Sequence, residues 1–376
     1  MGKRISFEEG LQLFRDAPLV ELQAMARQAR NERHPPNQVT FTLNTNPNYT
    51  NICDADCSFC AFYRHKSAKD AYQKSLEEVM EMMSSADQAG VHTVLLQGGV
   101  HSAITIDYLE SLVKETKARF PRIHPHFFSA VEIWNAAKVS QIPVKEALER
   151  LWNAGQRTLP GGGAEILSEE IRAKISPKKM EPNAWIDLHT EAHRIGFKST
   201  ATMMYGHVEE PIDILNHLEA LRATQDETQG FYAFIPWSYK RDRTALRRTV
   251  KNWAGRQAYF RILAFSRIYL DNFAHIGASW FGEGKEIGVQ SLHYGADDFG
   301  GILVEENVFR AANFINKTDQ NAVMQMIRQA GFEPALRNEY YQIVERFEGV
   351  ESVAVPHLQR SKEEDQTPIL ALEARL

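Results

Sequence analysis

An α/β chain wound as a (β/α)8 TIM-type barrel is the fold this sequence predicts, and three observations carry it. Strand-like and helix-like runs alternate along most of the chain, and eight of the runs are β-like. Its 376 residues, 43% hydrophobic and 24% charged, are enough to bury a large core without cross-links. No internal repeat, low-complexity tract or Pro/Gly/Ser linker divides it. Alternating β and α units favour parallel strands covered by helices, and eight such units favour a closed barrel over an open sheet.

Apolar residues at helical spacing over 7–30, among them Leu11, Phe14, Leu22 and Met25, predict two short helices ahead of the barrel. After His34-Pro35-Pro36, the run Val39-Thr40-Phe41-Thr42-Leu43 is β-branched and aromatic and predicts the first strand. Helix followed by strand is then predicted at 76–89 and 93–96, at 106–120 and 123–128, and at 144–154 and 157–159. The same order continues at 185–195 and 198–203, at 212–223 and 231–235, and at 254–270 and 275–280. A short helix at 285–291 precedes an eighth strand at 292–295. The resulting division is an N-terminal helical extension (1–36), the barrel (37–310) and a C-terminal helical extension packed on it (311–376).

Composition excludes several classes. Lysine and arginine total 43 against 48 acidic residues, a net charge of −5. No basic excess exists to neutralise phosphates, so no nucleic-acid partner is expected. Residues 1–33 lack the apolar core of a signal peptide, and nowhere do 18 apolar residues run together, so no membrane span is expected. The three cysteines, Cys53, Cys57 and Cys60, fall within eight residues. An odd and crowded set excludes a disulfide framework and points to reduced thiols in the cytoplasm.

Cys53-x-x-x-Cys57-x-x-Cys60 directly follows the first strand, which in a parallel barrel is the carboxyl-terminal mouth where active sites lie. Three thiolates hold three irons of a [4Fe–4S] cube and leave the fourth iron without a protein ligand. The chain has no fourth cysteine to offer. That corner is where a small molecule binds through nitrogen and oxygen. The competing set is a structural zinc module on Cys53, Cys57, Cys60 and His65. Spacing does not separate the two metals; position does, because a barrel supplies its own core and needs no structural ion.

The run Asn51-Ile52-Cys53-Asp54-Ala55-Asp56-Cys57-Ser58-Phe59-Cys60-Ala61-Phe62-Tyr63-Arg64 resembles the cluster loop of the radical S-adenosylmethionine (SAM) enzymes. Further segments are similar to one branch of that superfamily: Leu96-Gln97-Gly98-Gly99-Val100-His101, Leu159-Pro160-Gly161-Gly162-Gly163-Ala164-Glu165, and Ala233-Phe234-Ile235-Pro236-Trp237. His275-Ile276-Gly277-Ala278-Ser279-Trp280 and Gly295-Ala296-Asp297-Asp298-Phe299-Gly300-Gly301 complete the likeness, which covers about residues 38–350. The branch joins the two radical enzymes of the futalosine route to menaquinone with a deazaflavin-forming relative. Within it, the Phe-Ile-Pro-Trp segment and the Cys-Ala-Phe-Tyr-Arg ending most resemble the dehypoxanthine futalosine cyclases. Two departures stand out. Val100 occupies a position where the superfamily often has Glu, and Gly155-Gln156-Arg157-Thr158-Leu159 lacks an expected acidic residue and serine.

The resemblance implies a [4Fe–4S] cluster on Cys53, Cys57 and Cys60 whose open iron chelates the amino and carboxylate groups of SAM. It also implies that Gly98 and Gly99 face the SAM amino group and that Glu165 accepts from its ribose hydroxyls. The bland alternatives are a tight turn needing positive φ for the glycines and a helix-dipole partner for Glu165. Phe59 and Tyr63 flank the cluster as a shield or an adenine stack, and Arg172 is placed to pair with the SAM carboxylate. For the substrate, strand-end polar residues are the candidates: Tyr205, His207, Trp237, His275, Ser279, His293 and Asp297. No general base stands out among them.

The implied reaction converts dehypoxanthine futalosine to its cyclic form. A 5′-deoxyadenosyl radical takes hydrogen from C4′ of the substrate ribose, and the carbon radical adds to the substrate's benzoate ring. Loss of one electron and one proton restores aromaticity. The implied partners are this nucleoside–benzoate substrate and an external one-electron reductant. The alternative within the branch is aminofutalosine synthesis, in which the radical adds to an enolpyruvyl ether.

Overall fold

The computed structural model describes residues 4–250 and 254–347. Two helices open it, α1 (Phe7–Asp16) and α2 (Leu19–Asn31). Ser6 and Glu9 form a reciprocal capping box on α1, which satisfies donors that a first helical turn leaves open. Leu22 and Ala26 of α2 pack on Ala264.

The first half of the barrel follows as β1 (Gln38–Asn46), α3 (Leu76–Gln88), β2 (Thr93–Val94), α4 (Ile106–Arg119) and β3 (His124–Pro125). Next come α5 (Ala130–Ser140), α6 (Val144–Ala154), β4 (Thr158–Leu159), α7 (Glu169–Ile175), α8 (Pro182–Ile195) and β5 (Lys198–Tyr205). The series ends with α9 (Pro211–Thr228), β6 (Phe231–Ser238), α10 (Arg256–Tyr269), β7 (His275–Ile276), α11 (Trp280–Glu283), α12 (Lys285–Ser291) and β8 (Asp298–Glu306).

These eight strands are parallel. One ladder runs β4-β5-β6-β7 and the other joins β8, β1, β2 and β3. A single bridge, Gly277 with Asp298, links β7 to β8. Between β3 and β4 side chains replace the ladder. The Thr158 hydroxyl lies 2.7 Å from His124 Nε2 and 2.8 Å from His126 Nδ1. Gln156 donates to the Phe127 carbonyl at 2.6 Å. The sheet therefore curls into a barrel with a side-chain seam. Its outer helices cover a continuous core that includes Leu109, Leu148, Trp185, Leu218 and Leu263, each such burial contributing about 1.5–3 kcal/mol.

Several expectations need correction. Residues 292–294 form a 3-10 turn, not a strand, ended by Gly295 at φ +97°. The eighth strand begins three residues later, at Asp298, and contains Gly300 and Gly301. A Cβ on Gly301 would lie 1.9 Å from the side chain of Asn44 on the neighbouring strand β1. Helix α5 was not anticipated.

The C-terminal extension is not purely helical. After α13 (Val308–Ala311) and α14 (Gln320–Gln329) come β9 (Glu333–Arg337) and β10 (Ile343–Arg346). β9 lies parallel to the first residues of β1, and β10 turns back against it. The segment between them passes beneath the barrel. Arg337 donates twice to Asp298, at 2.6 and 2.9 Å. Glu339 accepts from Tyr232 at 2.8 Å, and Tyr341 stacks on His275 at 3.9 Å. Residues 348–376 of the expected extension lie outside the described residues. Among the described residues no helix is long and apolar enough to cross a membrane.

Candidate active site

Cys53, Cys57 and Cys60 all line one cavity of about 400 Å³ that runs through the barrel to Arg337, Glu339 and Tyr341 at its floor. Their loop is held by backbone bonds rather than by a core of its own. Cys53 N–H donates to the Arg64 carbonyl at 3.1 Å and Ser58 N–H to Ile175 at 2.8 Å. The Arg64 guanidinium donates to the Ala61 and Tyr63 carbonyls at 3.0 and 2.9 Å and to Asp70 at 2.7 Å. All three thiols are free. Burial pushes Cys57 up to about 12, with the Lys179 ammonium opposing the rise. Burial also raises Cys60. Thiolates this costly to bury as bare charges become favourable when they ligate a metal.

The donor set fits a cluster better than one ion. Three sulfurs on a single zinc would lie about 3.8 Å apart, from Zn–S bonds of about 2.3 Å. Among the described residues the cysteines form no set with ligand atoms all within 4.8 Å; only His34, His275 and Asp297 do. A cubane takes its three cysteines on three different irons and needs the wider spread. His65, proposed as the fourth zinc ligand, has a side chain 64% exposed and faces Asp56 at 3.6 Å. The His34–His275–Asp297 set is already neutralised by Arg267, which is bonded to Asp297.

Gly98 and Gly99 line the cavity at the end of β2. Neither has positive φ, so the tight-turn explanation fails. A Cβ on Gly99 would lie 2.1 Å from the Ile52 carbonyl and 2.7 Å from Cys53 Cβ. These glycines therefore let β2 press against the cysteine loop. A residue the sequence reading missed secures this packing. Glu132 accepts from Tyr49 Oη and Gly98 N at 2.8 Å, and from Ser129 N and Oγ at 2.7 Å. It thereby ties together the loops after β1, β2 and β3. Burial raises its carboxyl to about 7 against the pull of those donors. The available signal was Ser129-x-x-Glu132, a capping-box pattern.

Glu165, at φ +47°, lines the cavity after the Gly161-Gly162-Gly163 turn. Its Oε1 lies 2.5 Å from Lys179 Nζ, and that ammonium sits 5.5 Å over the Phe59 ring. Phe59 and Tyr63 also line the cavity. Arg172 does not. It is buried and donates to the carbonyls of Gly163, Ala164 and Met180 at 3.0, 2.9 and 2.5 Å, so it shapes the Glu165 loop from behind.

Of the substrate candidates, Trp237 lines the lumen, whereas Tyr205, His207, His275, Ser279, His293 and Asp297 do not. Tyr205 is fully buried in the core. His207 contacts the Met204 carbonyl at 3.1 Å. Ser279 N–H is held by Tyr259 Oη at 2.8 Å. His275 opens β7 and Asp297 precedes β8, so both sit at amino-terminal strand ends, 2.6 Å apart, opposite the mouth. His293 packs on Phe332 outside the barrel. A polar strip of the lumen comes from β1 and its extension. Asn44, Asn46 and Asn48 line the cavity, and each amide oxygen is buried without a partner among the described residues. Their period-two spacing was the legible signal.

Residues 47–221 match the Radical SAM superfamily model, and residues 228–350 match the CofH/MqnC C-terminal region. A cyclic dehypoxanthine futalosine synthase of Halalkalibacterium halodurans is 38% identical over 351 residues, 93% of this chain and 94% of that protein. The chain belongs to the radical SAM superfamily. As a radical SAM enzyme it uses a [4Fe–4S] cluster and SAM, and the three-cysteine cavity fits that pair. An aminodeoxyfutalosine synthase of Thermus thermophilus is 34% identical and covers 93% of this chain and 95% of its own. The crystal structure of methylornithine synthase aligns with TM-score 0.69 at 17% identity, over 89% of this chain and 95% of that one, a likeness of fold.

Proposed function

We propose that this radical SAM enzyme cyclises dehypoxanthine futalosine to cyclic dehypoxanthine futalosine in menaquinone biosynthesis. The observation that carries the reading is 38% identity to a cyclic dehypoxanthine futalosine synthase, spread over 93% of the chain. When bound, the cluster and SAM supply a 5′-deoxyadenosyl radical able to take hydrogen from C4′ of the substrate ribose.

The chain's own residues do the rest by holding and shielding. Cys53, Cys57 and Cys60 hold the cluster, while Gly98, Gly99, Glu165, Phe59 and Tyr63 form the SAM side of the lumen. Asn44, Asn46 and Asn48 offer buried acceptors to substrate hydroxyls, which fixes the ribose relative to the benzoate ring. Trp237, Phe281 and Phe309 wall the cavity and exclude water and stray hydrogen donors. The enzyme works in the cytoplasm with an external one-electron reductant, and its net charge of −5 argues against a nucleic-acid partner.

Product mass tests the reading. Anaerobically reconstituted enzyme given reductant, SAM and dehypoxanthine futalosine should yield a product two hydrogens lighter than the substrate. No turnover of this substrate, together with an adenosine-bearing adduct from an enolpyruvyl ether, would replace it with aminofutalosine synthesis. One zinc per chain with no labile sulfide would overturn both.

A further inference from the structure

Among the described residues, the cavity wall carries three cationic side chains: Lys179, Lys240 and Arg337. Two are matched by carboxylates at hydrogen-bond distance, Lys179 by Glu165 at 2.5 Å and Arg337 by Asp298 at 2.6 and 2.9 Å. Lys240 is not. It stands just beyond the carboxyl-terminal end of β6, with its side chain only 14% exposed. Its Nζ donates to Ser238 Oγ at 2.7 Å and sits 4.6 Å over the Phe314 ring, and its ion pair with Glu283 is a long one at 3.7 Å. Glu283 also accepts from Ser238 N at 2.7 Å and Ser238 Oγ at 2.8 Å, so its charge is shared between Lys240 and Ser238. Burial holds the Lys240 ammonium below its ordinary range, with Glu283 opposing the shift. An anion reaching this cation would gain a charge-assisted bond in a desolvated place.

The wall beside Lys240 is aromatic. Trp237 and Phe281 each meet Phe309 edge to face, with centroids 5.8 and 5.4 Å apart. All three line the same cavity as the cysteines. The β6–α10 loop that carries Lys240 also touches the cysteine loop, through Leu246 N–H to the Ser58 carbonyl at 2.8 Å. A cation at the edge of an aromatic wall suits a flat, apolar ring bearing one carboxylate.

We propose that Lys240 and the Trp237–Phe281–Phe309 wall form an aryl-carboxylate subsite, in which the ammonium takes the carboxylate and the rings flank the arene. Identifying that arene as the substrate's benzoate rests on the function proposed above; the chemistry of the subsite does not.

Ligand-detected NMR of the full chain with meta-toluate and its uncharged partner meta-toluamide tests the site without turnover. Wild-type protein should bind the acid at least ten-fold more tightly than the amide. Lys240→Met should abolish that preference by weakening the acid alone, and Lys240→Arg should restore most of it. An unchanged thermal melt for Lys240→Met guards against misfolding. Equal binding of acid and amide by the wild type, or an undiminished acid preference in Lys240→Met, would overturn the assignment. A parallel titration with dehypoxanthine futalosine separates the two ideas. If the acid preference depends on Lys240 but the nucleoside neither binds nor reacts, the subsite stands and the cyclase reading fails.

Discussion

The cysteines and Glu132 show how single residues set up this site. Cys57 is buried, free of any disulfide, and lines the cavity. Cys57→Ala should therefore fold but lose most bound iron and labile sulfide after anaerobic reconstitution, a several-fold drop read by metal analysis. Glu132 works behind the site. Truncation to Ala strips a partner from Gly98 N, Ser129 N and Tyr49 Oη, each buried group costing about 1–3 kcal/mol when left unsatisfied. The melting temperature should fall by several degrees or more in Glu132→Ala, and cluster loading should fall with it. The cysteines were legible because three thiols at fixed spacing beside a strand have few other uses. Arg172 and the histidines were not. A sequence locates a residue at a strand end, but not which end faces the mouth or whether backbone carbonyls have already claimed the side chain.

At the scale of elements, helices were read more faithfully than strands. Capping boxes at Ser6–Glu9 and Ser75–Glu78 mark two helix starts plainly. Four of the barrel strands are only two residues long, and their predicted runs were longer because the flanking residues are equally apolar. β8 hid behind Gly300 and Gly301, and β9 behind a proline at its second position. β9 matters because it delivers Arg337 to the barrel floor. Both Arg337 and Asp298 are almost wholly buried, and breaking such a pair costs about 3–5 kcal/mol. Arg337→Met should thus lower the urea midpoint clearly. The Arg337→Met/Asp298→Asn double variant should recover part of the loss, which strict additivity of the two single changes would contradict.

For the whole molecule, acid should be more damaging than mild base. Burial lowers His126, His193 and His217 to about 3 and His124 to about 4, from an ordinary 6.5. Between those values the unfolded chain binds protons that the fold excludes, so this stability is full above pH 6.5 and drains as pH falls. Glu132 and Glu306, raised to about 7 by burial, act in the opposite sense between pH 4.5 and 7. Four imidazoles against two carboxyls predict a lower urea midpoint at pH 5 than at pH 7.5. A flat or inverted profile would show that these histidines are not neutral in the fold. The alternation of eight β and α units was legible, whereas the floor closure by 337–341 was not, since its bonds join residues 39 and 107 positions apart.

The account stands on hydrogen transfer inside this lumen, and an isotope tests it directly. Reconstituted enzyme given SAM, reductant and dehypoxanthine futalosine carrying deuterium at C4′ should release 5′-deoxyadenosine one mass unit heavier, in step with cyclised product. Unlabelled 5′-deoxyadenosine alongside that product, or none at all from a fully loaded cluster, would contradict it.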